Sequence, residues 1–429
     1  MSSKFKKHTR AYHGESILSY YIRDKNWEQT VDFPGGKTCV SVSQSVSAVE
    51  NKPKNCPFYK WIPDTSITVD AFHYGDIPGC TCYFLSHFHS DHFRGIHKNF
   101  KGHIYCSEVT KNLLKDTYGP NLVISVLEIE KCTKICDVEV TAFDANHCPG
   151  SLMFLFHLPS KQKTYLHTGD FRYTADMLIL PSSLTNYLTN DCVKDMSSRI
   201  DSVFLDTTYC FSQYDFPTQE KVIEGAVKIT AEYLTKDPAT LIICGMYSIG
   251  KERFVYGIAS ELNLQVWLPK YQSRLVKLAA QGGCGVCKKL LQCVTNNPQK
   301  AQLHVLPMQQ LNLKSLIKHR NEMGSPLPAN PFQKSACKSN SRPVLGWRPT
   351  GWSHRKLNRS QTSLIPLPEG VVLEGRQENI HIYGAPYSEH SSFLELKEFI
   401  TRLRPSRVVP TVLGKSAASV KDTVNSWLT

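Results

Sequence analysis

From Cys56 to Asp206 the chain is a series of short apolar runs, β-branched or aromatic, most of which give way to polar residues at a loop. The segments SITVDAF (66–72), CTCYFLS (80–86), VEVTAFDA (138–145), SLMFLFHL (151–158), KTYLHTGD (163–170) and DSVFLDTT (201–208) read as β-strands. Several of them deliver His or Asp at the C-terminal end, which places those side chains on one edge of a sheet. After Asp206 the pattern changes. TQEKVIEGAVKITAEYL (218–234) and GKERFVYGIASEL (250–262) carry helical spacing, while TLIICGMY (240–247) and LQVWLP (264–269) read as buried strands. Such alternation predicts a separate parallel sheet covered by helices. Residues 272–302 and 324–342 interrupt it as insertions, and strand–helix alternation resumes at NIHIYGAPYSEHSS. Residues 1–55 hold no lasting period and read as a poorly ordered basic leader.

A length of 429 residues predicts two domains, or one domain with a large insertion. No run of eighteen apolar residues is present, which argues against a helical membrane span. The opening MSSKFKKHTR lacks the apolar stretch of a secretory signal, and its basic cluster reads as a solvated terminus or a weak nuclear address. Fifteen scattered cysteines suit a reducing compartment and free thiols. A net charge of +13 is compatible with an acidic partner such as nucleic acid.

The densest chemistry lies in SHFHSDHFRG, Ser86 to Gly95. Its H-x-H-x-D-H spacing puts His87 and His89 on one face as a strand ends, and the following turn carries Asp91 and His92 to a neighbouring position. Imidazoles together with a carboxylate suit Zn²⁺ or a similar transition metal. His147 in DANHCPGS and Asp170 in LHTGDFR are the further ligand candidates, Asp170 being able to bridge two ions. Asp70 in TVDAF is placed to orient a ligand histidine by hydrogen bonding.

H-x-H-x-D-H, an isolated His and then T-G-D together resemble the metallo-β-lactamase fold. FLDTTYC with Asp206, PYSEHSS with His390, and Val412 in VVPTV resemble its β-CASP branch, in the variant that acts on DNA. CPFYKWIPDTSITVDAF, YSIGKE and WRPTGW extend the likeness to the DNA interstrand cross-link repair nucleases, and within them to 5′→3′ exonucleases. The resemblance implies an αββα sandwich, formed by residues 56–208 and 379–429, with a β-CASP α/β domain inserted over 209–378. It implies a metal-dependent hydrolase of DNA in the nucleus, with one or two Zn²⁺ ions and Mg²⁺ or Mn²⁺ as options at the second site. The expected partners are 5′-phosphorylated DNA, single- or double-stranded, and other DNA-repair proteins, with the chain acting as a monomer.

On this reading His87, His89, His147 and Asp170 hold the first ion, and Asp91, His92 and Asp170 surround the second. Asp91 is also a candidate for steering the attacking water, and His390 for meeting the scissile phosphate or the leaving oxygen with Asp206 fixing its orientation. For the 5′-phosphate, Ser248, Gly250 and Lys251 in YSIGKE form an anion nest at a helix start, and Thr207, Thr208, Ser391 and Ser392 add donors. Arg348, Trp347 and Trp352 read either as DNA contacts or as core. Cys284, Cys287 and Cys293 in CGVCKKLLQC read as free thiols of a surface insert. The rival readings are a DNA or RNA endonuclease of the same branch, a small-molecule hydrolase, and a catalytically silent scaffold.

Overall fold

The computed structural model describes residues 55–179, 182–188, 199–323, 342–356, 368, 370–412 and 417–428. The expected leader, apart from Asn55, and the loop at 324–342, apart from Arg342, lie outside the described residues. Three sheets organise the rest. Strands β1 (Ile67–Val69), β2 (Cys82–Phe84), β3 (His103–Cys106) and β4 (Ile124–Val126) form a parallel sheet in sequence order. Strands β5 (Cys132–Ile135), β6 (Val138–Asp144), β7 (Leu152–Leu158), β8 (Lys163–His167) and β9 (Ser202–Leu205) build a second sheet, antiparallel as far as β8 and parallel from β8 to β9.

Strand β7 is apolar throughout because both of its faces are covered. Alternation sends Phe154 and Phe156 into a cluster with Ile67, Val69 and Phe84 of the first sheet. Met153 and Leu155 point the other way, into a cluster with Leu396, Phe399, Ile400 and Leu403 of helix Phe393–Leu403. The first sheet is covered in turn by helix Glu108–Tyr118, through Leu113 and Leu114. The result is the layered order helix, sheet, sheet, helix.

The third sheet contains β10 (Leu241–Met246), β11 (Val266–Trp267), β12 (Leu303–Pro307), β13 (Val344–Pro349), β14 (Val372–Gln377) and β15 (Ile380–Ala385), in the spatial order β11-β12-β10-β13-β15-β14. All its pairings are parallel except that of β14 with β15. Central β10 sends Ile242, Cys244 and Met246 to one face, against Val222, Ala226 and Ile229 of helix Gln219–Lys236. Leu241 and Ile243 go to the other, against Leu311 and Leu316. Strand β16 (Val408–Pro410) then returns to the second sheet beside β9.

Two expectations are corrected. A return to the first unit at 379 does not fit the pairing, because β15 lies between β13 and β14; the chain crosses back after Ala385. Residues 272–302 are not a surface insertion. Helices Lys270–Gln281 and Gly285–Cys293 bury Leu275, Val276, Ala279, Ala280, Cys287 and Leu290 in the cluster that also holds Leu113 and Ile258. No described helix is long and apolar enough to cross a membrane.

Candidate metal centre

The parallel strands β1, β2, β8 and β9 end on one edge, and Asp70, His87, Asp170 and Asp206 follow those ends within a few residues. Ligands of open α/β sheets collect at such carboxyl edges. The backbone there is bent to suit. Asp70 and Asn146 have φ of 52° and 51°, and Gly169 has φ of 55°. A Cβ at Gly169 would come within 2.7 Å of the Ser86 Cβ, so only glycine lets the Asp170 loop pass the strand that carries His87.

The hydrogen bonds fix how each histidine faces. Ser86 donates its single hydroxyl proton to Asp70 Oδ2 (2.7 Å), so it accepts from His87 Nδ1 (2.9 Å) and leaves His87 Nε2 with a lone pair. His92 Nδ1–H donates to Asp70 Oδ2 (2.7 Å). His89 Nε2–H donates to the Ile249 carbonyl (3.1 Å), and His147 Nδ1–H to the Glu389 carbonyl (2.7 Å). His390 Nδ1–H donates to Asp206 Oδ2 (2.7 Å). In this tautomer set all five rings turn an acceptor nitrogen inward, toward one another and toward Asp170.

Those nitrogens are close. His87 Nε2 is 2.9 Å from His89 Nδ1, which is 3.1 Å from His147 Nε2. Asp170 Oδ2 stands 3.2 Å from His92 Nε2, 3.8 Å from His87 Nε2, 3.9 Å from His147 Nε2 and 4.0 Å from His390 Nε2. Asp91 Oδ2 is 3.7 Å from His92 Nε2. Ligands at about 2.0–2.1 Å around a tetrahedral ion lie about 3.3 Å from each other. The spacing and the crowded lone pairs therefore fit a divalent cation. Three overlapping donor groups are present: His87, His89, His147 and Cys148; His87, His92 and Asp170; His147, Asp170 and His390.

Electrostatics divides the histidines. Burial, followed by neighbouring imidazoles, holds His87 and His147 well below the usual histidine range. Burial opposes charge on His92 too, but Asp170, Asp70 and Asp91 outweigh it and raise His92 well above that range. His390 is raised by Asp206 against the same burial, and the Asp206 carboxyl is lowered by His390. Asp206 is further fixed by the Thr208 hydroxyl (2.6 Å) and the Thr208 N–H (3.0 Å).

The proposed anion nest is corrected. Its N–H groups are already taken by carboxylates: Gly250 donates to both Glu252 oxygens (3.0 Å) and Lys251 to Glu389 Oε1 (2.6 Å). The Lys251 ammonium is buried on Glu389 Oε2 (2.9 Å). Thr207 is spent on the Val412 backbone. Ser391 bonds Phe171 and Tyr173, and Ser392 caps helix Phe393–Leu403 in a capping box with Glu395. Of the nest only Ser248 is exposed. Trp347 is core, its indole N–H on Thr230, and Arg348 pairs with Glu374. Trp352 instead remains exposed against Tyr209 and Tyr214, with Tyr209 5.9 Å from His390.

Cys148 and the carbonyls of Ile249 and Glu389 are site members that the sequence reading missed. Cys148 had a signal, since it adjoins His147; backbone carbonyls have none.

A family model described as DNA repair metallo-beta-lactamase matches residues 288–416. The chain is 38% identical over 374 residues to DNA cross-link repair 1A protein of Mus musculus, covering 87% of this chain but 32% of that protein. It is 37% identical over 388 residues to DNA cross-link repair protein SNM1 of Arabidopsis thaliana, covering 88% of this chain and 71% of that one. The chain belongs to the SNM1 family of DNA cross-link repair proteins. It is also 29% identical over 355 residues to 5′ exonuclease Apollo of Gallus gallus, covering 82% of this chain and 63% of that one. As an SNM1-family chain it has the metallo-β-lactamase fold with a β-CASP insertion, and its layered sandwich and third sheet are read in those terms.

Proposed function

We propose that this chain is a metal-dependent DNA nuclease of cross-link repair, a 5′→3′ exonuclease acting on 5′-phosphorylated ends. The observation that carries the reading is the convergence of inward imidazole nitrogens on Asp170 Oδ2 in an SNM1-family chain. The likeness to 5′ exonuclease Apollo supports the polarity. His87, His89, His147 and Asp170 would hold a first Zn²⁺, and His92, Asp91 and Asp170 a second cation, for which Mg²⁺ or Mn²⁺ also serves. When bound, such a cation supplies a water acidified to a pKa of about 7 and relief of charge on a phosphoryl oxygen.

The chain's own groups do the rest. Asp91 steers the attacking water. His390, whose hold on a proton is raised by its pair with Asp206, is the group that passes a proton to the leaving oxygen. Trp352, packed on Tyr209, offers a terminal base a stacking surface, and Ser248 donates to the end phosphate. The excess of Lys and Arg follows the DNA backbone. We read the protein as a nuclear monomer with the β-CASP unit as an inserted domain.

The test uses 3′-labelled single-stranded DNA with a 5′-phosphate or a 5′-hydroxyl, RNA of the same sequence, and Asp91→Ala as control. Stepwise shortening from the 5′ end, faster with the phosphate and lost in the control, is expected. Internal cuts or preference for RNA would replace this reading with the endonuclease. No cleavage under Zn²⁺, Mn²⁺ or Mg²⁺ would favour the scaffold.

A further inference from the structure

The motif CGVC, Cys284 to Cys287, supplies none of the proposed cation ligands and has no part in the nuclease reading. It forms the start of helix Gly285–Cys293, with Cys284 as the N-cap. Cys287, one turn in, is fully buried, whereas Cys284 is half-buried between exposed Gly283 and Gly285. Neither glycine would bring a Cβ within 4 Å of other atoms, so the approach to Cys284 is open. As the N-cap, Cys284 sits at the positive end of helix Gly285–Cys293, with Cys287 one turn inside it. One cysteine is thus half-exposed at the helix start, and its partner is shielded one turn in.

We propose that Cys284 and Cys287 are a redox-active dithiol that exchanges with low-molecular-weight disulfides and closes reversibly to an intramolecular disulfide in the folded protein. The neighbouring Cys287 thiol, against burial, holds the Cys284 thiol down to about 7, as its place at a helix start also favours. A nucleophilic thiolate is therefore present at neutral pH. The neighbouring Cys284, with burial, pushes Cys287 up, as suits a resolving thiol. In the first step Cys284 Sγ⁻ attacks one sulfur of a disulfide RSSR, forming the mixed disulfide and releasing RS⁻. In the second, Cys287 loses its proton to RS⁻, and its sulfur attacks Cys284 Sγ, releasing the second RS⁻. Two protein thiols are oxidised and one RSSR is reduced to two thiols.

The full chain would be equilibrated in buffers of reduced and oxidised glutathione, quenched with an alkylating reagent and mapped by peptide mass spectrometry. The peptide holding both cysteines is expected to lose both adducts together, following a two-electron dependence on potential. In the reduced protein Cys284 should alkylate at least about tenfold faster than Cys287. Cys287→Ser should trap glutathione on Cys284, and Cys284→Ser should abolish exchange, with circular dichroism monitoring the fold of each. The proposal is overturned if 284–287 stays reduced, or closes only in denaturant. It is equally overturned if Cys82 and Cys136, 3.9 Å apart at sulfur, oxidise in its place.

Discussion

Asp70 shows how much one buried carboxylate organises. Burial alone would raise its carboxyl, but the charge and hydrogen bond of His92 hold it below the ordinary carboxylate range. It accepts from Ser86 N–H, Ser86 Oγ and His92 Nδ1, and through Ser86 it sets His87 as well. Asp70→Asn replaces one acceptor oxygen by a donor, and His92 and Ser86 both need acceptors. Chelator competition should show metal affinity weakened by about 10–100-fold, the range for partners that orient metal ligands. An unchanged affinity would mean that His87 and His92 hold their orientation without it. That Asp70 lies near the ligands was legible from the sequence, because it ends a strand as they do. That it serves two histidines at once was not, since the link runs through a serine hydroxyl.

At the level of elements, strand ends were readable and loop backbones were not. The alternating apolar runs located β1, β2 and β6–β9, hence the edge on which the site sits. The YSIGKE turn carried the composition of an anion nest, yet its N–H groups meet Glu252 and Glu389, the latter distant in sequence. Helices Lys270–Gln281 and Gly285–Cys293 looked like an insertion because what their apolar faces would cover was not evident before folding. The YSIGKE turn also has a pH consequence. Burial and then the nearby Glu389 raise Glu252 from 4.5 to about 8. Between those values the folded protein binds more protons than the unfolded chain, so stability contributed by Glu252 is present below 4.5 and is lost as pH rises through about 8. Glu252→Gln keeps an oxygen for Gly250 and removes the titration. Denaturant melts across that pH window should show a flatter profile and a relative gain for the variant at pH 8; parallel profiles would contradict it.

Across the whole molecule the two halves complete one centre. His89 and His147 are oriented by carbonyls that lie beyond β10 and β15, so the third sheet is part of the metal site's scaffold and not merely a cover. The resemblance carried the existence of the inserted unit; this dependence needed the fold. Trp352 is the aromatic of WRPTGW left at the surface, packed on Tyr209, which in turn neighbours His390. Its substitution by Ala should raise KM for single-stranded DNA by about 1–3 kcal/mol equivalent, with kcat nearly kept. A kcat loss at constant KM would place it in the chemistry instead. The most direct test of the account is cleavage of 5′-phosphorylated DNA by chelator-stripped protein as Zn²⁺ is returned, with bound metal measured in parallel. Activity that is absent without metal, rises with occupancy and is missing in Asp170→Asn is the expected result. Equal cleavage by the stripped protein, or full occupancy without cleavage of DNA under any of the three metals, would contradict it.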